Sequence, residues 1–99
     1  MVFSAFYPLF CDYYSHHMAE KTFGKLLQEL RIEKGLSQEE LAYQCSLDRT
    51  YISLLERGLR VPTIITLFKV AAALDIRPET FISRMEVNYQ NLPSPGKNK

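Results

Sequence analysis

Arg49, Thr50, Tyr51 and Ser53 lie together in one short stretch, and Arg57 follows one helical turn further on. A guanidinium can donate two parallel hydrogen bonds to guanine O6 and N7, and threonine and serine hydroxyls can bond several bases. A tyrosine can stack along a sugar or donate to a phosphate. No catalytic set accompanies them. The two histidines, His16 and His17, lie far upstream, and among the four glycines there is neither a G-x-S-x-G turn nor a phosphate-cradling loop. Glu39 and Glu40 are neighbours, but adjacent helical residues diverge by about 100° and do not face one another. The expectation is a binding surface without enzymatic activity.

Such a surface needs two short helices held across a tight turn. Ser37 followed by Glu40 is a reciprocal capping pair, which starts a helix at Gln38. In it Leu41 and Cys45, with small Ala42 beside them, share one face, while Glu39, Tyr43 and Gln44 point elsewhere. Ala42 is small where a second helix must pass close. Asp48 is a good N-cap for the second helix, whose apolar positions are Ile52 and Leu55. A buried face accounts for those two alone, which leaves Arg49, Thr50, Tyr51, Ser53 and Arg57 available, and the N-terminal residues of such a helix are the ones that reach base edges in the major groove.

Residues 23 to 86 resemble the XRE/Cro type of phage-repressor helix-turn-helix domain. The resemblance is carried by Phe23-Gly24, Leu30-Arg31, Lys34-Gly35-Leu36-Ser37-Gln38-Glu39-Glu40-Leu41-Ala42, Leu55-Glu56-Arg57-Gly58 and Pro62-Thr63-Ile64. Within that family, Asp48-Arg49-Thr50-Tyr51-Ile52-Ser53 followed by Glu56-Arg57 is similar to the recognition helix of the small controller proteins of restriction-modification systems, stand-alone dimers that regulate their own gene and the endonuclease gene. The resemblance implies Arg49, Thr50, Tyr51 and Ser53 at or beside bases and Gln38 near a phosphate, with Arg57 on the backbone or a base. Arg60 and Thr63 join the backbone set. It also implies that Arg31 and Glu56 face each other inside the domain as a structural ion pair. One departure is Ser46, where many relatives carry glycine at a position that needs positive φ.

Around this pair the expected fold is all-α, with five helices and no alternating β pattern. The first helix should run from about Lys21 to Lys34, with Phe23, Leu27, Leu30 and Arg31 inward, and stop at Gly35. A fourth helix should follow Pro62 with Thr63 as its cap and Ile64, Leu67, Val70, Ala71 and Leu74 as its core stripe. A fifth should open at Pro78 and carry Phe81, Ile82 and Met85. The expected organisation is an extension over residues 1–17, the domain over 18–87 and a flexible tail over 88–99.

The fourth helix has a second apolar line at Ile65, Phe68 and Ala72, on positions that relatives more often leave polar. Together with Phe81, Ile82 and Met85 it forms an expected two-fold dimer patch. The alternative is an antitoxin-like or repressor-partner module that binds another protein through the same face, since large exposed apolar patches usually mean a partner. A further candidate cover is the first seventeen residues, which hold Phe3, Phe6, Tyr7, Phe10, Tyr13 and Tyr14. Met18-Ala19-Glu20-Lys21 resembles a natural start, so the segment before it is expected to be an artefact or a poorly ordered extension ahead of a functional arm.

Residues 1–17 lack the basic start and continuous apolar run of a signal peptide, and no apolar run in the chain is long enough to span a membrane. A cytoplasmic location is expected. Net charge is only +1, yet Arg49, Arg57 and Arg60 cluster while Glu29, Glu33, Asp75, Glu79 and Glu86 lie elsewhere, so a local basic face can sit on a nearly neutral protein. Helix N-termini can add backbone N–H donors for phosphate. Cys45 is expected to be a small buried residue, and Cys11, His16 and His17 match no common zinc spacing. The expected partners are a double-stranded DNA operator and a second copy of the chain, with no metal, cofactor or small-molecule ligand.

Overall fold

The computed structural model describes residues 18 to 90. They form five helices, α1 (Met18–Glu33), α2 (Gln38–Cys45), α3 (Arg49–Glu56), α4 (Ile64–Ala73) and α5 (Pro78–Gln90), with no strand among the described residues. The three middle helices start on the expected caps. Ser37 Oγ accepts from the Glu40 N–H at 3.0 Å while Glu40 Oε1 accepts from the Ser37 N–H at 2.8 Å. Asp48 accepts from the Thr50 N–H, and Thr63 from the Thr66 N–H, each at 3.0 Å.

Helices α1 to α4 all end by the same device. Gly35, Ser46, Gly58 and Asp75 take positive φ values of 76°, 56°, 75° and 62°. At each, the following N–H reaches back to the carbonyl five residues earlier: Leu36 to Arg31, Leu47 to Ala42, Leu59 to Leu54 and Ile76 to Ala71. These bonds satisfy carbonyls that a helix end leaves unpaired. The turn also throws an apolar residue back toward the helix, and Leu36, Leu47 and Ile76 pack against the core as a result. The sequence pattern anticipated Gly35 and Ser46; Asp75 gave no such signal.

The core is one cluster fed by every helix: Phe23, Leu26, Leu27 and Leu30 from α1, Leu41, Ala42 and Cys45 from α2, Ile52 and Leu55 from α3, Leu67 and Val70 from α4, and Phe81 from α5. Helix α1 packs on α3 and α5, α2 on α3 and α4, and α4 on α5. Gly24 permits the closest of these approaches, because a Cβ there would collide with the Leu55 and Glu56 carbonyl oxygens. Backbone meets backbone where α1 crosses the end of α3.

Four expectations need correction. Ile64, expected in the core stripe, is 69% exposed, because as the first residue of α4 it precedes the turn that meets the core. Phe81, expected in the surface patch, is fully buried, its ring centroid 5.2 Å from that of Phe23. Helix α1 is already helical at Met18, three residues ahead of Lys21. Helix α5 continues to Gln90 rather than yielding to a tail at Asn88, and Tyr89 is buried. Residues 1–17 and 91–99, with Cys11, His16 and His17, lie outside the described residues.

Candidate nucleic-acid interface

Helix α3 is divided by its own periodicity. Ile52, Leu55 and Glu56 turn inward and are buried, while Arg49, Thr50 and Arg57 are exposed and Ser53 is half-buried. Positions 49, 53 and 57 are four apart and 50 and 53 three apart, so these residues form one stripe along the outer face. The structure therefore brings Arg49, Thr50, Ser53 and Arg57 together. Arg60 is exposed in the loop before α4, and Thr63 is the exposed cap of α4.

Behind that stripe stands a buried polar chain. Arg31 donates Nε to Glu56 Oε2 at 2.6 Å and Nη2 to Oε1 at 3.1 Å, a forked pair whose carboxylate side chain is 1% exposed. Arg31 Nη1 also donates to the Leu36 carbonyl at 2.8 Å. Gln38 Nε2 donates to Glu56 Oε1 at 2.9 Å, and Arg49 Nη1 donates to Gln38 Oε1 at 3.3 Å. The pair ties α1 to the end of α3 as expected, and it goes on through Gln38 to the first residue of α3. Gln38 is half-buried. A carboxamide nitrogen has two donors, and the bond to Glu56 uses one of them.

Tyr51 sits differently from its expected base-reading neighbours. It is half-buried and packs against the core, and its hydroxyl lies 3.4 Å from Thr66 Oγ1. Thr66 Oγ1 also accepts from the Thr63 hydroxyl at 3.1 Å. Three hydroxyls thus join the middle of α3 to the start of α4. Thr66 was not singled out in the sequence; its position three residues after the Thr63 cap was the available signal.

Cys45 is buried, with Sγ 3.7 Å from the Lys69 carbonyl. Burial pushes its thiol up from the ordinary value, and nearby Lys69 partly offsets this. Among the described residues no group of three or more His, Cys, Asp or Glu side chains is placed to hold a metal ion, and no helix is long and apolar enough to cross a membrane.

The arrangement of two capped helices across the Ser46 turn agrees with a match of residues 27–81 to the family model described as helix-turn-helix. The chain belongs to the helix-turn-helix family. Within it the chain is an XRE-type transcription regulator similar to restriction-modification controller proteins. It is 39% identical over 61 residues to the control protein C.BamHI of Bacillus amyloliquefaciens, covering 61% of this chain and 75% of that one. The crystal structure of the restriction-modification controller protein C.AhdI from Aeromonas hydrophila superposes with a TM-score of 0.61 at 47% identity, covering 63% of this chain and 94% of that one. The C.Esp1396I controller, seen as a tetramer with its natural 35 base-pair operator, superposes with a TM-score of 0.69 at 33% identity, covering 74% and 96%. Structures of C.Esp1396I also include variants at a threonine and at the tyrosine that directly follows it, the tyrosine variant bound to an operator site. In this chain the sole Thr-Tyr dipeptide is Thr50-Tyr51.

Proposed function

We propose that the protein is a cytoplasmic homodimeric controller that binds a pseudo-palindromic operator and performs no catalysis. The observation that carries this reading is the outer stripe of α3, where Arg49, Thr50, Ser53 and Arg57 point away from the core on a helix anchored at both ends. Two such helices in successive major grooves would place half-sites about 34 Å apart. Arg49, Thr50 and Ser53 supply base contacts, and Tyr51 reaches a base or sugar from its half-buried position at the edge of the stripe. Gln38, Arg57, Arg60 and Thr63 supply backbone contacts. The similarity to controllers whose structures hold operator DNA supports the same assignment.

The second copy docks on Ile65 and Phe68, which are 64% and 56% exposed, with Ile82 and half-buried Met85 contributed by α5. Phe81 contributes only from beneath. An antitoxin-like module would use the same face for a different protein.

The test is selection of random duplex DNA by the purified full chain, followed by a salt titration on the enriched sequence. A two-fold symmetric site whose affinity falls steeply with salt is the expected outcome, because phosphate neutralisation releases counterions. Enrichment of no sequence would overturn the regulator reading.

A further inference from the structure

The three hydroxyls between α3 and α4 have one proton each, and those protons can be counted. The Thr66 N–H donates to Thr63 Oγ1 at 3.0 Å, and the Thr63 hydroxyl donates in turn to Thr66 Oγ1 at 3.1 Å. Thr66 is only 6% exposed, and among the described residues its hydroxyl has one further partner, Tyr51 Oη at 3.4 Å. A buried donor without an acceptor costs the full desolvation of the group, so the Thr66 proton belongs on the bond to Tyr51. Were Tyr51 the donor, that proton would be buried unpaired. We infer that Thr66 is a positioning residue for DNA reading: its hydroxyl donates to Tyr51, holds the phenol toward α4 and leaves the Tyr51 proton to donate to an acceptor atom of the operator. This rests on the reading of Tyr51 as a DNA contact, since Thr66 is buried and acts only through the phenol.

The bonds run in one direction, from a backbone N–H in the first turn of α4, through Thr63 and Thr66, to Tyr51. Hydrogen bonds in series polarise one another, which makes a phenol that accepts from Thr66 a better donor than one that accepts from nothing. At 3.4 Å the last link is longer than an ordinary O–H···O bond, so it directs the phenol more than it stabilises the fold. Thr66 also stands between two expected DNA contacts, exposed Thr63 on the backbone and Tyr51 at the bases, and fixes their spacing. A donating phenol matches guanine O6 or N7, adenine N7, thymine O4 or a backbone oxygen, and it does not match the amino group of cytosine.

The full chain is compared with Thr66→Val, Thr66→Ser, Tyr51→Phe and the Tyr51→Phe, Thr66→Val double variant, by selection of random duplex DNA and by affinity for the site the native chain enriches. Valine keeps the β-branched shape, and the N–H of residue 66 still donates to Thr63, so the cap of α4 survives. Circular dichroism under the binding conditions checks the fold, and Thr66→Ala stands in should valine unfold the chain. Tyr51→Phe and Thr66→Val should each weaken binding by about three- to tenfold, the worth of one neutral hydrogen bond. Thr66→Ser, which keeps the hydroxyl, should bind like the native chain, and the double variant should be no weaker than Tyr51→Phe alone. Preference lost at the same base pair in both weakened single variants would identify a base acceptor, and uniform weakening a backbone oxygen. Native-like binding by Thr66→Val beside a weakened Tyr51→Phe would overturn the role of Thr66 and leave the Tyr51 contact standing. A double variant weaker than Tyr51→Phe by the whole Thr66→Val factor would overturn it as well, because Thr66 would then act otherwise than through the phenol. Native-like binding by Tyr51→Phe would remove the contact itself, and the inference with it.

Discussion

Gln38 donates to Glu56 across 2.9 Å, so the first residue of α2 is hydrogen-bonded to the last residue of α3. Both ends of its amide are used, because Arg49 donates to its carbonyl oxygen. The result is a continuous line from Arg31 in α1, through Glu56 and Gln38, to a guanidinium on the outer stripe. The residues that hold the helices together are thereby hydrogen-bonded to the first residue of the proposed reading surface.

The first consequence concerns stability. Glu56→Ala leaves the Arg31 guanidinium buried without its carboxylate, and breaking a buried pair from one side costs about 3–5 kcal/mol. Replacing both partners with apolar residues of similar volume, as in Arg31→Met with Glu56→Leu, should recover most of that loss. Urea unfolding of the two variants checks it, and a double variant as unstable as the single one would show that the pair is net stabilising in itself.

Ser46 offers a change in the opposite direction. Its φ of 56° is the left-handed region, and its N–H and that of Leu47 already make the bonds that close α2. Ser46→Gly removes the steric cost of a Cβ there but adds freedom to the unfolded chain, for a net gain of about 0.5 kcal/mol. A higher urea midpoint with an unchanged slope is the expected outcome; a lower midpoint would mean that the serine side chain contributes something the glycine loses.

Cys45 links stability to alkaline pH. Because burial raises its folded value, the thiol of the folded chain holds its proton where that of the unfolded chain gives it up. Its contribution is fully present below the ordinary thiol value of the unfolded chain and is lost as pH rises through the folded value. The same protection should make Cys45 slow to react with thiol reagents at neutral pH. In Cys45→Ala the decline in stability as pH rises past the ordinary thiol value should be shallower than in the native chain, and identical slopes would exclude this thiol as a contributor.

Much of the fold was legible because helix starts and stops are written in single residues. Ser37, Asp48, Thr63 and Pro78 each open a helix where expected, and Gly35 and Ser46 each close one. The errors arose where depth had to be judged. Ile64 and Phe81 differ little in type from their buried and exposed neighbours, and only the packing of α5 against α1 through Phe23 decides that Phe81 goes in. Periodicity likewise could not separate Tyr51 from Thr50, since its place at the edge of the core depends on the Thr66 hydroxyl of another helix. Helix α5 runs past the expected stop at Asn88, and the burial of Tyr89 beyond it had no signal in the sequence.

Exposure of Ile65 and Phe68 makes the dimer testable without disturbing the core. Phe68→Glu alters a surface position and should change monomer stability by no more than about 0.5 kcal/mol, while placing two like charges near a two-fold axis. Light scattering on a sizing column should show a monomer for this variant and a dimer for the native chain. A native chain that is monomeric and aggregates would favour a missing heterologous partner.

The proposed reading surface holds two kinds of residue, and salt should distinguish them. Arg49→Ala should weaken operator binding by about 1–3 kcal/mol and relax preference at one base pair in each half-site, with little change in salt slope. Arg57→Ala should weaken all sequences alike and lower the slope of log affinity against log salt by about 0.9 for each phosphate that is no longer neutralised. Gln38→Ala lies between them, because it removes both a proposed donor for phosphate and the carbonyl to which Arg49 donates. It should lower affinity and blur the same base pair that Arg49 reads. If Gln38→Ala weakened binding with undiminished preference at that pair, Arg49 would be aimed by the DNA alone and the line from Arg31 would end at Gln38.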